Sequence, residues 1–289
     1  MPYTLPNDVD ERPVVIDGAG TLGRRLAAVY VAGGSDVRVF DPSADAREAA
    51  RTYVDRHRDE TKQALGLRPG RRGELELADD LEAALRGAWM VIEAVPEKLE
   101  LKRSVFRDLD RLAGPDAILA SNSSSLPTSQ FIDGVEHPER VLNTHYYMPP
   151  QLNSVELMSS GKTDEAVIDA LMQKLPQYGF VPFHVRRESD GFIFNRIWAA
   201  IKRECLMVVE EGVASPEDVD RMWEIFTKAG VPPFRLMDQV GLDVVLNIEE
   251  HYAQVREGIP EGPRKLLQKY IDEGRLGTKS GRGFYDHQG

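Results

Sequence analysis

The sequence predicts an α/β protein in which a doubly wound parallel sheet is followed by an all-helical second domain. Three observations carry that expectation. A strand, a glycine-rich turn, a helix and a second strand follow one another within residues 14–41, the order and spacing of one βαβ unit. Short apolar runs then alternate with helical patterns as far as residue 185, and such alternation builds a parallel sheet covered by helices. Beyond the charged stretch RRESDG, 186–191, strand-like runs stop until the GRGFYD tail.

The first strand is Val14-Val15-Ile16. After the glycines of DGAGTLG, Leu22, Leu26 and Val29-Tyr30 recur at helical spacing until Gly33-Gly34 stop the helix. VRVFD, 37–41, is a short strand ending in aspartate. A helical pattern from Ser43 to about Leu65 closes in the turn LRPGRRG, 67–73, and a short strand (ELEL) and helix (80–86) follow. WMVIEAV, 89–95, reads as a strand buried on both faces, and 98–113 as an amphipathic helix. AILAS (117–121), RVLNTHYY (140–147), SVELMSS (154–160) and FVPFHV (180–185) supply further strands, with a helix over 163–178. Then Ile193, Ile197, Ile201, Cys205 and Val208 fall at steps of three and four, a long buried helix, and helical patterns cover 216–229, 236–257 and 263–274. The domain boundary is placed near residue 188, giving domains 1–188 and 189–289.

Composition bounds the function. The 289 residues are 42% hydrophobic and 29% charged, enough apolar material for a sizeable core and no sign of disorder. No run approaches the ~18 apolar residues of a membrane-spanning helix. MPYTLPNDVDERP lacks a cationic region followed by an apolar one, so no secretory signal is expected and a cytoplasmic protein is. Cys205 is the only cysteine, which excludes internal disulfides and a cysteine-rich metal site. A formal net charge of −11 repels nucleic acid and anionic membranes, so neither is an expected partner.

Gly18-Ala19-Gly20-Thr21-Leu22-Gly23 matches GxGxxG between a strand and a helix, with Asp41 closing the next strand. That context points to a Rossmann-type dinucleotide site. Gly18 permits the tight turn, Gly20 lets the backbone approach a pyrophosphate, and Gly23 lets helix and strand pack closely. Thr21 and Leu22 open the helix whose unpaired N–H groups face the phosphates. Asp41 accepts hydrogen bonds from ribose hydroxyls and repels a 2′-phosphate, so NAD is favoured over NADP. The competing reading is a structural turn beside an exposed aspartate. Asp17 breaks the pattern: it ends the first strand where an apolar side chain is expected, and buried without a donor it costs several kcal/mol. As a carboxylate near the pyrophosphate it weakens dinucleotide binding.

Eight motifs in order, GAGTLG (18–23), EAVPE (93–97), SNSSSL (121–126), HYYMP (145–149), VELM (155–158), GFIFNR (191–196), VGLD (240–243) and TKSGRGFY (278–285), resemble the L-3-hydroxyacyl-CoA dehydrogenases over about residues 13–286. The resemblance implies that His145 is the general base, that Glu156 orients it, and that Ser124 and Asn195 contact the substrate oxygen. It also implies that Glu97, with Lys102 and Asn122, lies on the cofactor side, and that the chain forms a homodimer. The chemistry agrees. Oxidising a secondary alcohol needs a base for the hydroxyl proton, and imidazole titrates near working pH. A carboxylate on its other nitrogen fixes the tautomer and supports the imidazolium. The bland alternatives are a helix-capping Ser124, a helix-start Asn195 and an ordinary polar Glu156.

Departures from the family pattern bear on the substrate. Met148 stands where the family usually has asparagine, and the segment after Asp41 that helps hold coenzyme A is shorter. Arg68, Arg71, Arg72, Lys62 and Lys102 are candidates for CoA phosphates, against the reading of a solvated basic turn. Arg235, in VPPFRLMD, either binds a carboxylate or forms a surface ion pair. Three hypotheses stand: a 3-hydroxyacyl thioester dehydrogenase with CoA or carrier-bound substrate, a dehydrogenase of a free β-hydroxy acid like the gulonate and carnitine enzymes, and a cofactor-binding protein without turnover. The intact His145, Glu156, Ser124 and Asn195 count against the third.

Overall fold

The computed structural model describes residues 3–67, 70, 73–228 and 230–287. The chain divides into two compact units, one ending at Ile193 and the next beginning at Phe194.

The first unit contains β1 (Val14–Asp17), α1 (Thr21–Ala32), β2 (Val37–Phe40), α2 (Ala44–Ala64), β3 (Leu75–Ala78), α3 (Leu81–Leu85), β4 (Met90–Glu93), α4 (Leu99–Leu112), β5 (Ile118–Ser121), β6 (Val141–Tyr146), β7 (Ser154–Ser159), α5 (Glu165–Lys174) and β8 (Val181–Val185). The strands form one sheet in the order β3-β2-β1-β4-β5-β6-β7-β8. Strands β1 to β6 are parallel, and their order reverses between β1 and β4. Doubly wound sheets bind ligands at that switch point, outside the carboxyl ends of the strands.

The expectation of a wholly parallel sheet needs one correction. β7 runs antiparallel to β6, and β8 lies parallel to β7. Connection length is the reason. Only residues 147–153 join β6 to β7, whereas a parallel crossover needs about a dozen or more. β7 and β8 are separated by α5 and can run parallel.

The central strands β1, β4 and β5 are buried along their length, which is why their sequences are apolar runs and do not alternate. Trp89 and Tyr30 are fully buried in the same unit. Tyr30 keeps its phenol satisfied by a 2.7 Å hydrogen bond to the Tyr146 hydroxyl.

The second unit contains α6 (Phe194–Glu210), α7 (Pro216–Thr227), α8 (Pro233–Val240), α9 (Leu242–Val255) and α10 (Gly262–Asp272). Leu206, Phe234, Met237, Leu242 and Leu267 form its core, with Cys205 among them. The single helix expected over 236–257 is two helices. Gly241, at φ 104°, leaves the helical region between α8 and α9, a conformation that costs glycine little. The GRGFYD tail makes isolated bridges at Gly277–Arg282 and Arg282–Asp286. It is held by buried Asp238, which accepts the N–H groups of Phe284 and Tyr285 at 2.9 Å each. Arg235 places its guanidinium 4.7 Å from the centre of the Tyr285 ring. No described helix is long and apolar enough to cross a membrane.

Candidate active site

The turn after β1 is built by its glycines. Gly18 has φ 115°, and a Cβ there would lie 2.6 Å from the Ala94 carbonyl oxygen. A Cβ on Gly23 would sit 1.9 Å from the carbonyl oxygen of Gly18, so α1 rests directly on the turn. Gly20 has open space where its side chain would be, and α1 begins with no side-chain cap. Those two features leave backbone N–H groups accessible to an anion. Gly23→Ala therefore forces the turn off α1. The expected result is at least a tenfold rise in the NADH dissociation constant by fluorescence titration, with a lower melting temperature. Unchanged affinity would remove the packing argument.

Asp41 follows β2, and its carboxylate is held against this turn. One oxygen accepts the Ala19 N–H and the other the Ser43 N–H, both at 2.9 Å. Thr21 is exposed at the start of α1 and Leu22 is half-buried.

Beneath the turn lies a charged network. Buried Glu93, at the end of β4, accepts the Lys102 ammonium at 2.7 Å and the Ser121 hydroxyl at 2.6 Å. Lys102 also reaches Glu97 at 3.2 Å. Glu97 accepts from the hydroxyls of Ser123 at 2.5 Å and Ser125 at 2.8 Å. Burial raises the Glu97 pKa, but the charge of Lys102 and these hydrogen bonds outweigh it and hold the carboxyl below its ordinary value. Lys102 is thus buried and ion-paired, which corrects its candidacy as a free cation for a CoA phosphate. Asp17 is 3% exposed, and its pKa is raised to about 7 by burial first, then by Glu93 and Asp41.

His145 and Glu156 are direct cross-strand partners on β6 and β7. The antiparallel reversal puts the first residues of β7 beside the last residues of β6, at the carboxyl edge of the parallel strands. His145 Nδ1 lies 3.0 Å from Glu156 Oε2, and both side chains are buried. The second carboxylate oxygen accepts the Ile193 N–H at 2.9 Å. Phe192 stacks on the imidazole with ring centres 4.8 Å apart, and it holds a left-handed backbone at φ 53°. Such a conformation costs a non-glycine residue energy and clusters at functional sites. Here it directs the ring at His145 while the next N–H reaches Glu156.

A cavity of about 170 Å³ brings His145 together with Ser124, Asn122, Leu22, Glu97 and Lys102. Ser124 is exposed and makes no hydrogen bond to another described residue. The short helical turn at Thr128–Gln130 has no side-chain cap, and it is the Ser123 hydroxyl that accepts the Leu126 N–H just before it, at 2.8 Å. Asn122 accepts the Tyr146 N–H at 3.0 Å and so ties the loop after β5 to the end of β6. Asn195 lies in the first turn of α6, half-buried, in the second unit.

The model of the 3-hydroxyacyl-CoA dehydrogenase NAD binding domain matches residues 13–189, and that of the family's C-terminal domain matches residues 191–287. The chain belongs to the 3-hydroxyacyl-CoA dehydrogenase family. It is 33% identical to the 3-hydroxybutyryl-CoA dehydrogenase of Mycobacterium tuberculosis, over 97% of this chain and 100% of that one. It is 31% identical to the 5-formyl-3-hydroxy-2-methylpyridine 4-carboxylate 5-dehydrogenase of Mesorhizobium japonicum, over 95% and 90%. The crystal structure of (S)-3-hydroxybutyryl-CoA dehydrogenase from Ralstonia eutropha superposes with a TM-score of 0.83 at 29% identity, covering 96% of this chain and 99% of that one.

The family member is therefore an NAD-dependent oxidoreductase, and its residues fit the cofactor: an open Gly20, an uncapped α1 and a carboxylate beside the turn. Arg68, Arg71 and Arg72 lie outside the described residues. Three features of the site are not among the sequence-based expectations. Glu93 has a signal, as a charge inside an apolar strand that must find a partner. Phe192 and the Tyr147 hydroxyl have none, because both act through tertiary contacts.

Proposed function

We propose that the enzyme interconverts a 3-hydroxyacyl thioester, CoA- or carrier-bound, and its 3-keto form, with His145 as base and Glu156 as its orienting carboxylate. The buried 3.0 Å pairing of His145 Nδ1 with Glu156 carries this reading. With Nδ1–H committed to the carboxylate, Nε2 is the nitrogen left to take the substrate hydroxyl proton. Glu156 supports the charge that develops on the ring. The Ser124 hydroxyl donates to the substrate oxygen, which in the reductive direction stabilises the charge growing on a ketone. NAD, held by Gly18, Gly20, Gly23 and Asp41, supplies the hydride-accepting ring.

A dehydrogenase of a free hydroxy acid is the second reading. Met148 is 42% exposed close to the base, Lys102 is already paired, and one relative is named for a pyridine carboxylate. The deciding experiment compares NADH oxidation with acetoacetyl-CoA and with free acetoacetate, with NADPH as control. The thioester is expected to turn over at least tenfold faster, and NADPH to serve poorly. Preference for the free acid establishes the second reading, and NADH binding without turnover of either substrate removes the CoA ester and points to a carrier-bound substrate, another free acid or a protein without turnover.

The reading extends to a homodimer assembled through the second unit, where Phe194, Ile197 and Phe226 are each more than half exposed. A monomeric mass in light scattering removes that part.

A further inference from the structure

Tyr146 ends β6 and Tyr147 follows it, and the two rings go to different surroundings. Tyr146 enters the core and meets Tyr30. Tyr147 lies on the side of His145, its ring 4.5 Å from the imidazole centre, and its hydroxyl donates to Glu156 Oε2 at 2.8 Å. That is the same oxygen that faces His145 Nδ1. We propose that Tyr147 is a positioning residue for the His145–Glu156 pair: its hydroxyl anchors the carboxylate oxygen that faces the imidazole and limits how strongly that oxygen holds a proton on the ring.

The shared oxygen supports the assignment. Glu156 Oε2 lies within hydrogen-bond distance of both the Tyr147 hydroxyl, at 2.8 Å, and His145 Nδ1, at 3.0 Å. A buried carboxylate needs donors, and the Ile193 N–H already serves the other oxygen. On the shared oxygen, a donor from Tyr147 spreads negative charge that would otherwise act on the ring alone. The hydroxyl thus divides the hold of that oxygen between two donors and fixes the carboxylate that faces the ring.

Glu97 and Lys102 line the same cavity and are paired with each other. Phe192 brings an aromatic face and no charge. The ring of Tyr147 is itself committed by its hydroxyl to Glu156, which makes it unsuited to protonate substrate.

Tyr147→Phe keeps the ring against His145 and removes only the hydroxyl. The inference rests on His145 being the base, so the test has a readout independent of turnover. The titration of His145 is followed by NMR in labelled protein, with His145→Ala used to identify its signal. The midpoint is expected to rise by roughly half to one pH unit in Tyr147→Phe, the size expected of part of one hydrogen bond to a charged group. The acid limb of alcohol oxidation should move up by the same amount, with NADH affinity unchanged. A midpoint that stays in place or falls, with or without a uniform loss of activity, overturns the inference. If His145→Ala keeps full activity, the base assignment fails first, and no role of Tyr147 in supporting a base survives. An inactive His145→Ala beside an unmoved Tyr147→Phe removes only the positioning role of Tyr147.

Discussion

Replacing His145 by alanine is expected to lower kcat by about three to four orders of magnitude, the upper range for loss of a positioned general base. NADH affinity should stay within about twofold. The separation follows from the architecture. The dinucleotide turn is made by β1, α1 and the end of β2, through Gly18, Gly23 and Asp41. The proposed base lies on β6, opposite Glu156 on β7. The hydrogen bonds that hold His145 go to Glu156 and not to the turn, so truncating the ring leaves the turn intact. Alanine also leaves Glu156 its bonds from Tyr147 and Ile193, which keeps that buried carboxylate satisfied and the fold sound. Steady-state kinetics in both directions and an NADH fluorescence titration check both halves. Equal kcat in the variant and the wild type would remove His145 from the mechanism. A parallel loss of NADH affinity would recast it as part of the cofactor site.

The parts of this site legible in the sequence are those with a local physical signature. GAGTLG is legible because three backbone constraints demand glycine at fixed spacing, and two of them appear directly as close approaches at Gly18 and Gly23. The pairing of His145 with Glu156 is legible as an imidazole and a carboxylate on neighbouring strands. Strand direction is not, since apolar runs look the same whichever way a strand lies; the short link 147–153 holds the information in its length. The helix break at Gly241 is hidden because an isolated glycine inside a periodic pattern has no unique reading. Lys102 misleads for a related cause. Its position beside EAVPE suggests a phosphate ligand, but its partner Glu93 lies on a strand whose other residues are apolar. Ion pairs between a strand and the following helix leave no periodicity to find. Asp17 is the opposite case, visible in the sequence as an anomaly whose consequence only burial and neighbours define.

Asp17→Asn is expected to stabilise the first unit at pH 8, and by much less at pH 5. The carboxyl ends β1, is 3% exposed, and pairs in register with Glu93 across the sheet. Among the described residues no hydrogen-bond donor reaches it, because Lys102 is taken by Glu93 and Glu97. Burial first, then Glu93 and Asp41, raise its pKa from 3.8 to about 7, against the opposing charge of Lys102. The sign follows from linkage. Below about pH 4 the carboxyl is neutral in both states. Between about 4 and 7 the unfolded chain ionises while the folded chain keeps its proton, so stability falls as pH rises. Above about 7 the loss is complete. At ~1.4 kcal/mol per pH unit the full window of about 3 units amounts to roughly 4 kcal/mol, about a third of it already lost at pH 5. Asparagine has the shape of the protonated acid and no charge to lose, so the variant keeps what the wild type loses between about pH 4 and 7. The gain in melting temperature should therefore be several degrees larger at pH 8 than at pH 5. NADH binding moves in the same direction, because the group that ionises immediately precedes the turn that receives the pyrophosphate. Wild-type affinity is expected to weaken as pH rises through 7, and Asp17→Asn to bind severalfold more tightly at pH 8 but not at pH 5.5. An advantage of equal size at both pH values would trace the effect to packing and dismiss the buried charge as its cause.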